Sequence, residues 1–136
     1  VAVLVLELSD NCSKELLQAA ILHDSAELYT GDVPFTLKVS EPAVKGLLHE
    51  AEVFAHSNIV LDMPLLSESE WAILKLADTI EGLIWCRKTE AEGGCVGPRW
   101  MGALKAGFTK FSEVLPPHII ERANLIASKN NLYTFF

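Results

Sequence analysis

His23, Asp24 and Glu27 fall within five residues of each other, and a further acid, Asp78, lies 54 residues beyond Asp24. An imidazole and two carboxylates suit a divalent metal such as Mn, Co, Fe or Zn. A metal so held polarises a phosphoryl oxygen and lowers the pKa of a bound water, which supplies a hydroxide near neutral pH. Helical spacing places Leu16, Ala20, His23 and Glu27 on one stripe and Leu17, Ile21, Asp24 and Leu28 on the next. Both stripes are apolar until their last turn, where they turn polar together. Asp78 shares a helix side with Trp71, Leu74 and Trp85 and interrupts an apolar run in the same way. A carboxylate buried without a partner costs several kcal/mol, so each acid calls for a cation opposite. Structural roles fit the same residues: His23 satisfying the last carbonyls of its own helix, Asp24 pairing with Lys38, and Asp78 bonding to a threonine.

These side chains depend on helices. Residues 1–8, VAVLVLEL, suit either a buried strand or the end of a core helix. Ser13 can cap a helix whose apolar positions recur up to Tyr29, and Gly31 with Pro34 ends it. Ser40-Glu41-Pro42 opens another, with Val44, Leu47, Leu48, Ala51, Phe54 and Ala55 on one face and an end near Ser57. Ser67 and Glu70 fit a capping box, with Leu66 and Trp71 as its hydrophobic staple, and the helix that follows should reach about Lys88. AEGGCVGP, residues 91–98, is a link, and residues 100–114 and 117–129 have helical composition. No strand alternation, repeat or low-complexity tract occurs. The pattern predicts an all-α bundle in one domain, residues 1–136. His49, His56 and His118 have no partner at ligand spacing and read as surface or interhelical residues, and Trp71, Trp85 and Trp100 read as core.

Half of the chain is apolar and 21% is charged, the composition of one globular domain. Eleven basic against 18 acidic residues give a net charge of −7 with no basic stripe, which argues against a nucleic-acid polymer as partner. Cys12, Cys86 and Cys95 form no C-x-x-C pair, so neither a disulfide framework nor a zinc knuckle is expected. No apolar run approaches the ~18 residues of a membrane span, and the opening residues lack the features of a signal peptide. A cytoplasmic protein without a membrane partner is expected. The chain starts at Val1 inside an apolar run, which suggests a missing N-terminal segment. Residues 132–136, LYTFF, are too apolar for a solvated tail and should pack on the domain or on a second copy, so a homo-oligomer is one expectation.

ILHDSAELYTGDVPFTLK, residues 21–38, resembles the metal motif of the HD-domain phosphohydrolases, in particular the nucleotidase branch. His23, Asp24, Glu27, Gly31, Asp32, Pro34 and Lys38 all fall on its pattern HD-x-x-E-x-x-x-G-D-x-P-x-x-x-K. LADTIEGL resembles the downstream segment that carries the last metal-binding Asp, here Asp78. The resemblance covers residues 1–88 and implies a compact HD-domain helical bundle. It implies one divalent metal held by two His and two Asp, of which His23, Asp24 and Asp78 are present. The first His of the family pattern has no counterpart before His23, which the resemblance places upstream of Val1. The resemblance makes Glu27 the acid/base group, Asp32 a residue that orients substrate or water, and Lys38 a phosphate contact.

The branch implies a small nucleotide as substrate. Bacterial 5′-deoxynucleotidases of this kind remove phosphate from deoxynucleoside monophosphates, and compact phage relatives remove triphosphate from dATP. One cation in the motif window, Lys38, suits a monophosphate better than a triphosphate. Cleavage of the 5′-phosphoester of a deoxynucleotide is therefore expected, with a deoxynucleoside 5′-monophosphate preferred. A dATP-type triphosphohydrolase is the alternative, and a degenerate, non-catalytic HD binding module is a third.

Overall fold

Ser67 and Glu70 form the expected capping box: Ser67 Oγ accepts from the Glu70 amide, and the Glu70 carboxylate accepts from the Ser67 amide. The computed structural model describes residues 1–31, 33, 41–58 and 62–135. Among these residues every regular element is a helix. In chain order they are α1 (Ala2–Leu8), α2 (Lys14–Leu22), α3 (Glu27–Thr30), α4 (Pro42–Asn58), α5 (Glu68–Ala91), α6 (Pro98–Val114), α7 (Pro117–Lys129) and a 3-10 turn, Leu132–Phe135. The expected all-α class is what is found.

The helix that starts at the capping box, α5, is the axis of the bundle. Ala72, Ile73, Leu74, Leu76, Ala77, Ile80, Leu83 and Cys86 are buried around most of its circumference. It packs against α1, α2, α6 and the 3-10 turn. The closest of these unions is with α6, and two glycines permit it. A Cβ on Gly82 would lie 2.8 Å from Leu104 Cδ2, and one on Gly107 would lie 3.2 Å from Thr79 Oγ1. Residues 1–8, open between strand and helix in the sequence, are helical from Ala2: Val5 and Leu8 seal α1 against the core, and α1 also touches α2 and α7.

Three expectations need correction. The helix starting after Ser13 does not run on to Tyr29; it stops at Leu22, and α3 is a separate single turn. Between them the Ser25 amide and hydroxyl both donate to the Leu22 carbonyl, and the Glu27, Leu28 and Tyr29 amides reach back only three residues. Local side-chain bonding by Ser25 tightens the backbone into 3-10 geometry. The apolar face predicted for α4 is present but largely uncovered, with Leu47 67% and Phe54 68% exposed and only Ala55 buried. Its chief helical neighbour is α3, four residues long and too short to cover a 17-residue helix. Ser40, the predicted cap of α4, lies outside the described residues. Finally, Trp71 and Trp85 are not core: each is about half exposed.

The link expected at residues 91–98 is present but shorter, residues 92–97, since Ala91 ends α5 and Pro98 opens α6; within it Gly93 has φ +82°, a conformation that side chains disfavour. Leu132 is fully buried in the core of this same chain, and Tyr133 Oη donates to the Asn124 carbonyl at 2.9 Å. All three cysteines are free. Burial, and then the Glu90 charge, push the Cys86 thiol up. Among the described residues no helix is long and apolar enough to cross a membrane.

Candidate metal centre and its cleft

The relative placement of α2 and α5 is set at their N-termini by one carboxylate. Ser13 caps α2, its Oγ accepting from the Leu16 amide at 3.0 Å, and the same hydroxyl donates to Glu70 Oε1 at 2.5 Å. Glu70 Oε2 accepts from the Ser67 amide and hydroxyl at 3.0 and 2.7 Å. These bonds, that from Ser13 foremost, hold the Glu70 carboxyl below the usual carboxylate range. With the two helix starts tied together, the C-terminal end of α2 comes to rest beside the middle of α5.

At that end of α2 the His23 ring is oriented from behind. Its Nδ1 lies 2.9 Å from the Ala20 carbonyl. A carbonyl only accepts, so Nδ1 carries a proton and Nε2 is the ring nitrogen left to face Asp24. Nε2 lies 2.9 Å from Asp24 Oδ2, yet it is buried and has no hydrogen-bond partner. Two lone-pair atoms at this separation repel unless a proton or a metal ion stands between them. A backbone carbonyl behind one ring nitrogen, with the other nitrogen beside a carboxylate, is an arrangement that suits a metal-ligating histidine.

His23, Asp24, Glu27 and Asp78 all line one cleft of about 1000 Å³. The sequence stripes on the α2 side assumed an unbroken helix; the tight turn after Leu22 nevertheless delivers these groups to the same wall. On α5 the cleft-facing stripe is Lys75, Asp78, Gly82 and Trp85, spaced three or four apart. Asp78 is not the buried interruption that the sequence suggested. It is about half exposed, with Lys75 Nζ 3.6 Å from Oδ2. The Lys75 ammonium also lies 5.0 Å from the centroid of the Trp71 ring. Among the described residues Asp78 has no threonine bond; the expected Asp24–Lys38 pair falls on Lys38, which, like Asp32, lies outside the described residues.

Glu52 and His56 on α4 also line this cleft, and His56 Nδ1 is buried without a hydrogen-bond partner. His56 does not read as a site residue by ligand spacing to the other histidines. The usable signal is its position one turn after Glu52, on the polar side of an amphipathic helix.

The donor chemistry of His23, Asp24 and Asp78 fits a divalent metal, and the unpartnered His23 Nε2 beside the Asp24 carboxylate is the observation that favours one. Among the described residues no three His, Cys, Asp or Glu side chains lie close enough together to hold an ion. His23 and Asp24 form an adjoining pair, and Asp78 stands in the same cleft with its carboxylate turned to Lys75. The described lining holds five carboxylates, Asp24, Glu27, Glu52, Asp78 and Glu81, against the single ammonium of Lys75. Such a wall accepts an anion only when a cation comes with it.

Comparisons with curated proteins and with solved structures give no match. One family model matches, that of the 5′-deoxynucleotidase YfbR-like proteins, over residues 8–96. The matched span runs from the end of α1 through the cleft-lining faces of α2, α4 and α5 to the link before α6. It takes in the motif residues at 23–38 and Asp78 together. With nearly two thirds of the chain inside that match, the all-α bundle and its His-Asp cleft belong to a member of the YfbR-like 5′-deoxynucleotidase family, an HD-domain nucleotidase family.

Proposed function

We propose that this protein is a metal-dependent phosphohydrolase that cleaves the 5′-phosphoester of deoxynucleotides, with deoxynucleoside 5′-monophosphates as the preferred substrates. The observation that carries the reading is the cleft in which the open Nε2 of His23 stands beside Asp24 and shares a wall with Asp78. Membership of a 5′-deoxynucleotidase family supports the reaction class.

His23, Asp24 and Asp78 would hold the ion. When bound, a divalent metal polarises the phosphoryl oxygen and makes water nucleophilic near neutral pH. Glu27, the first residue of α3 and on the cleft wall, accepts a proton from the attacking water and returns one to the departing 5′-oxygen. The oxygen–phosphorus bond forms as the phosphorus–O5′ bond breaks, giving orthophosphate and a nucleoside. Lys75 offers positive charge from within the cleft. Lys38 as a phosphate contact and Asp32 as an orienting residue rest on the family motif. The single ammonium in the described lining favours a monophosphate over a triphosphate, which brings about four negative charges to be matched. The cleft volume leaves room for the longer chain, so dATP is the second substrate to test.

Metal-loaded protein should release orthophosphate from dAMP, and Asp78→Ala should lose both bound metal and turnover. Release of intact tripolyphosphate from dATP in place of orthophosphate from dAMP would establish the triphosphohydrolase reading. Full turnover by a metal-free Asp78→Ala protein would refute the metal-dependent mechanism. Tight nucleotide binding without any hydrolysis would point to the non-catalytic module.

A further inference from the structure

The charged end of the cleft accounts for only half of its lining. Toward the C-terminal half of α5 the wall becomes aromatic and apolar: Trp85, then Trp100, Leu104 and Phe111 from α6. Trp85 and Trp100 are a tilted pair, ring centroids 4.8 Å apart and planes at 54°. Trp100 packs partly against the core. Trp85 stands in front of it, 51% exposed. A large apolar ring held in place by a second ring, yet half open to a cleft, is a surface on which another flat group can lie.

Its position along α5 is what gives it a use. Asp78 and Trp85 are seven residues apart, so they lie on one face of the helix, about 10 Å apart along the axis. Between them Gly82 carries no side chain and is covered by Leu104 of α6, and Thr79 and Glu81 complete this stretch of the cleft wall. In a 5′-nucleotide a sugar separates the phosphate from the base, and the base is flat, weakly polar on its faces and matched to stacking on indole. The close union of α5 with α6, Leu104 on Gly82 and Thr79 on Gly107, holds the two helices that carry Trp85 and Trp100 together, so the ring pair is set before any ligand arrives.

We propose that Trp85, backed by Trp100, is the nucleobase platform of this cleft, so that the protein selects nucleoside phosphates over phosphate esters that lack a base. The inference rests on the reading above that the His23–Asp78 end takes the phosphate. Stacking is tolerant of base identity, because every base offers a π face, so Trp85 sets a preference for the class and for larger bases over smaller ones.

Two measurements on the full chain test it, after thermal melting has shown that each variant folds. The first compares dAMP with deoxyribose 5-phosphate, the same ester without its base. Trp85→Ala should raise KM for dAMP about ten- to hundredfold, the scale of one stacked base, with little change in kcat. Trp85→Phe should restore most of that loss, and neither change should alter kinetics on deoxyribose 5-phosphate. The second needs no turnover: deoxyadenosine, which has no phosphate, is titrated into the protein while the indole N–H resonances are followed by NMR. The resonance that disappears in Trp85→Phe should move upfield with deoxyadenosine and stay fixed with deoxyribose. If that resonance does not move, or if Trp85→Ala weakens dAMP and deoxyribose 5-phosphate equally, the platform is refuted while the phosphohydrolase reading stands. If deoxyadenosine moves it but no phosphate ester is hydrolysed, the platform stands and the proposed reaction falls.

Discussion

At the scale of single residues the proposed mechanism divides the acids of the cleft between two tasks. Asp24 lies against His23 and Asp78 against Lys75, whereas Glu27 begins a separate turn of helix at the cleft edge. If Glu27 carries the proton, as proposed, Glu27→Ala keeps the metal and loses the reaction. Turnover should fall by roughly a hundredfold or more, the scale for removing a positioned acid/base group. Metal content measured alongside rate decides the matter: if both fall together, Glu27 is a ligand and not the proton carrier. His23 shows why residue type alone underdetermines a site. The sequence supports both a histidine that satisfies its own helix end and a metal ligand; the structure contains the first, and it is compatible with the second. The contact of Nδ1 with the Ala20 carbonyl is what leaves Nε2 open toward Asp24.

At the scale of elements the joint between α2 and α5 is Glu70, which accepts from Ser13 on one helix and from Ser67 on its own. Its carboxyl is held below the usual range, so the folded state prefers the ionised form more than the unfolded chain does. The sign follows: this stabilisation is fully present above the ordinary glutamate value of about 4.3 and is lost as pH falls through the lower value of the folded state. Thermal melts of wild type and Glu70→Gln should therefore differ most at neutral pH and converge in acid. Ser13→Ala, which removes a cap as well as the bridge, should cost about 1 kcal/mol at neutral pH. A Glu70→Gln penalty that persists unchanged in acid would show that the carboxylate charge is not what the joint uses. The Ser67–Glu70 box, the glycine-rich link and the start of α7 at Pro117 were legible in the sequence because each is a local signal confined to a few neighbouring residues. The bridge from Ser13 to Glu70 was not, since nothing local pairs residues 57 positions apart. The break after Leu22 was missed for a related reason. Apolar periodicity carries across it, and only the Ser25 bonds to the Leu22 carbonyl mark the change of pitch. Trp85 was misread because a tryptophan on an apolar stripe looks the same whether the space in front of it holds protein or a cleft.

At the scale of the whole molecule the core collects around α5 from both ends of the chain, and the C-terminal segment closes it. Leu132 is fully buried among residues of this chain, and the 3-10 turn that carries it contacts both α7 and α5. The sequence left open whether residues 132–136 pack on the domain or on a second copy; for Leu132 the answer is the domain. A buried leucine cut back to alanine loses its transfer free energy and leaves a cavity, together about 2–5 kcal/mol. Leu132→Ala should thus lower Tm by roughly 10 °C, and truncation after Asn131 should lower it at least as far, because the Tyr133 bond to the Asn124 carbonyl goes too. The mass by light scattering should match that of the wild-type chain in both cases, since the contact removed lies within one copy. An unchanged Tm with a smaller scattering mass would instead assign the segment to an interface between copies. The same variants separate stability from chemistry. Leu132 is buried in the core and lines no part of the cleft. Below its lowered Tm, Leu132→Ala should therefore keep the KM of the wild-type protein, while Trp85→Ala should keep the Tm and lose the KM.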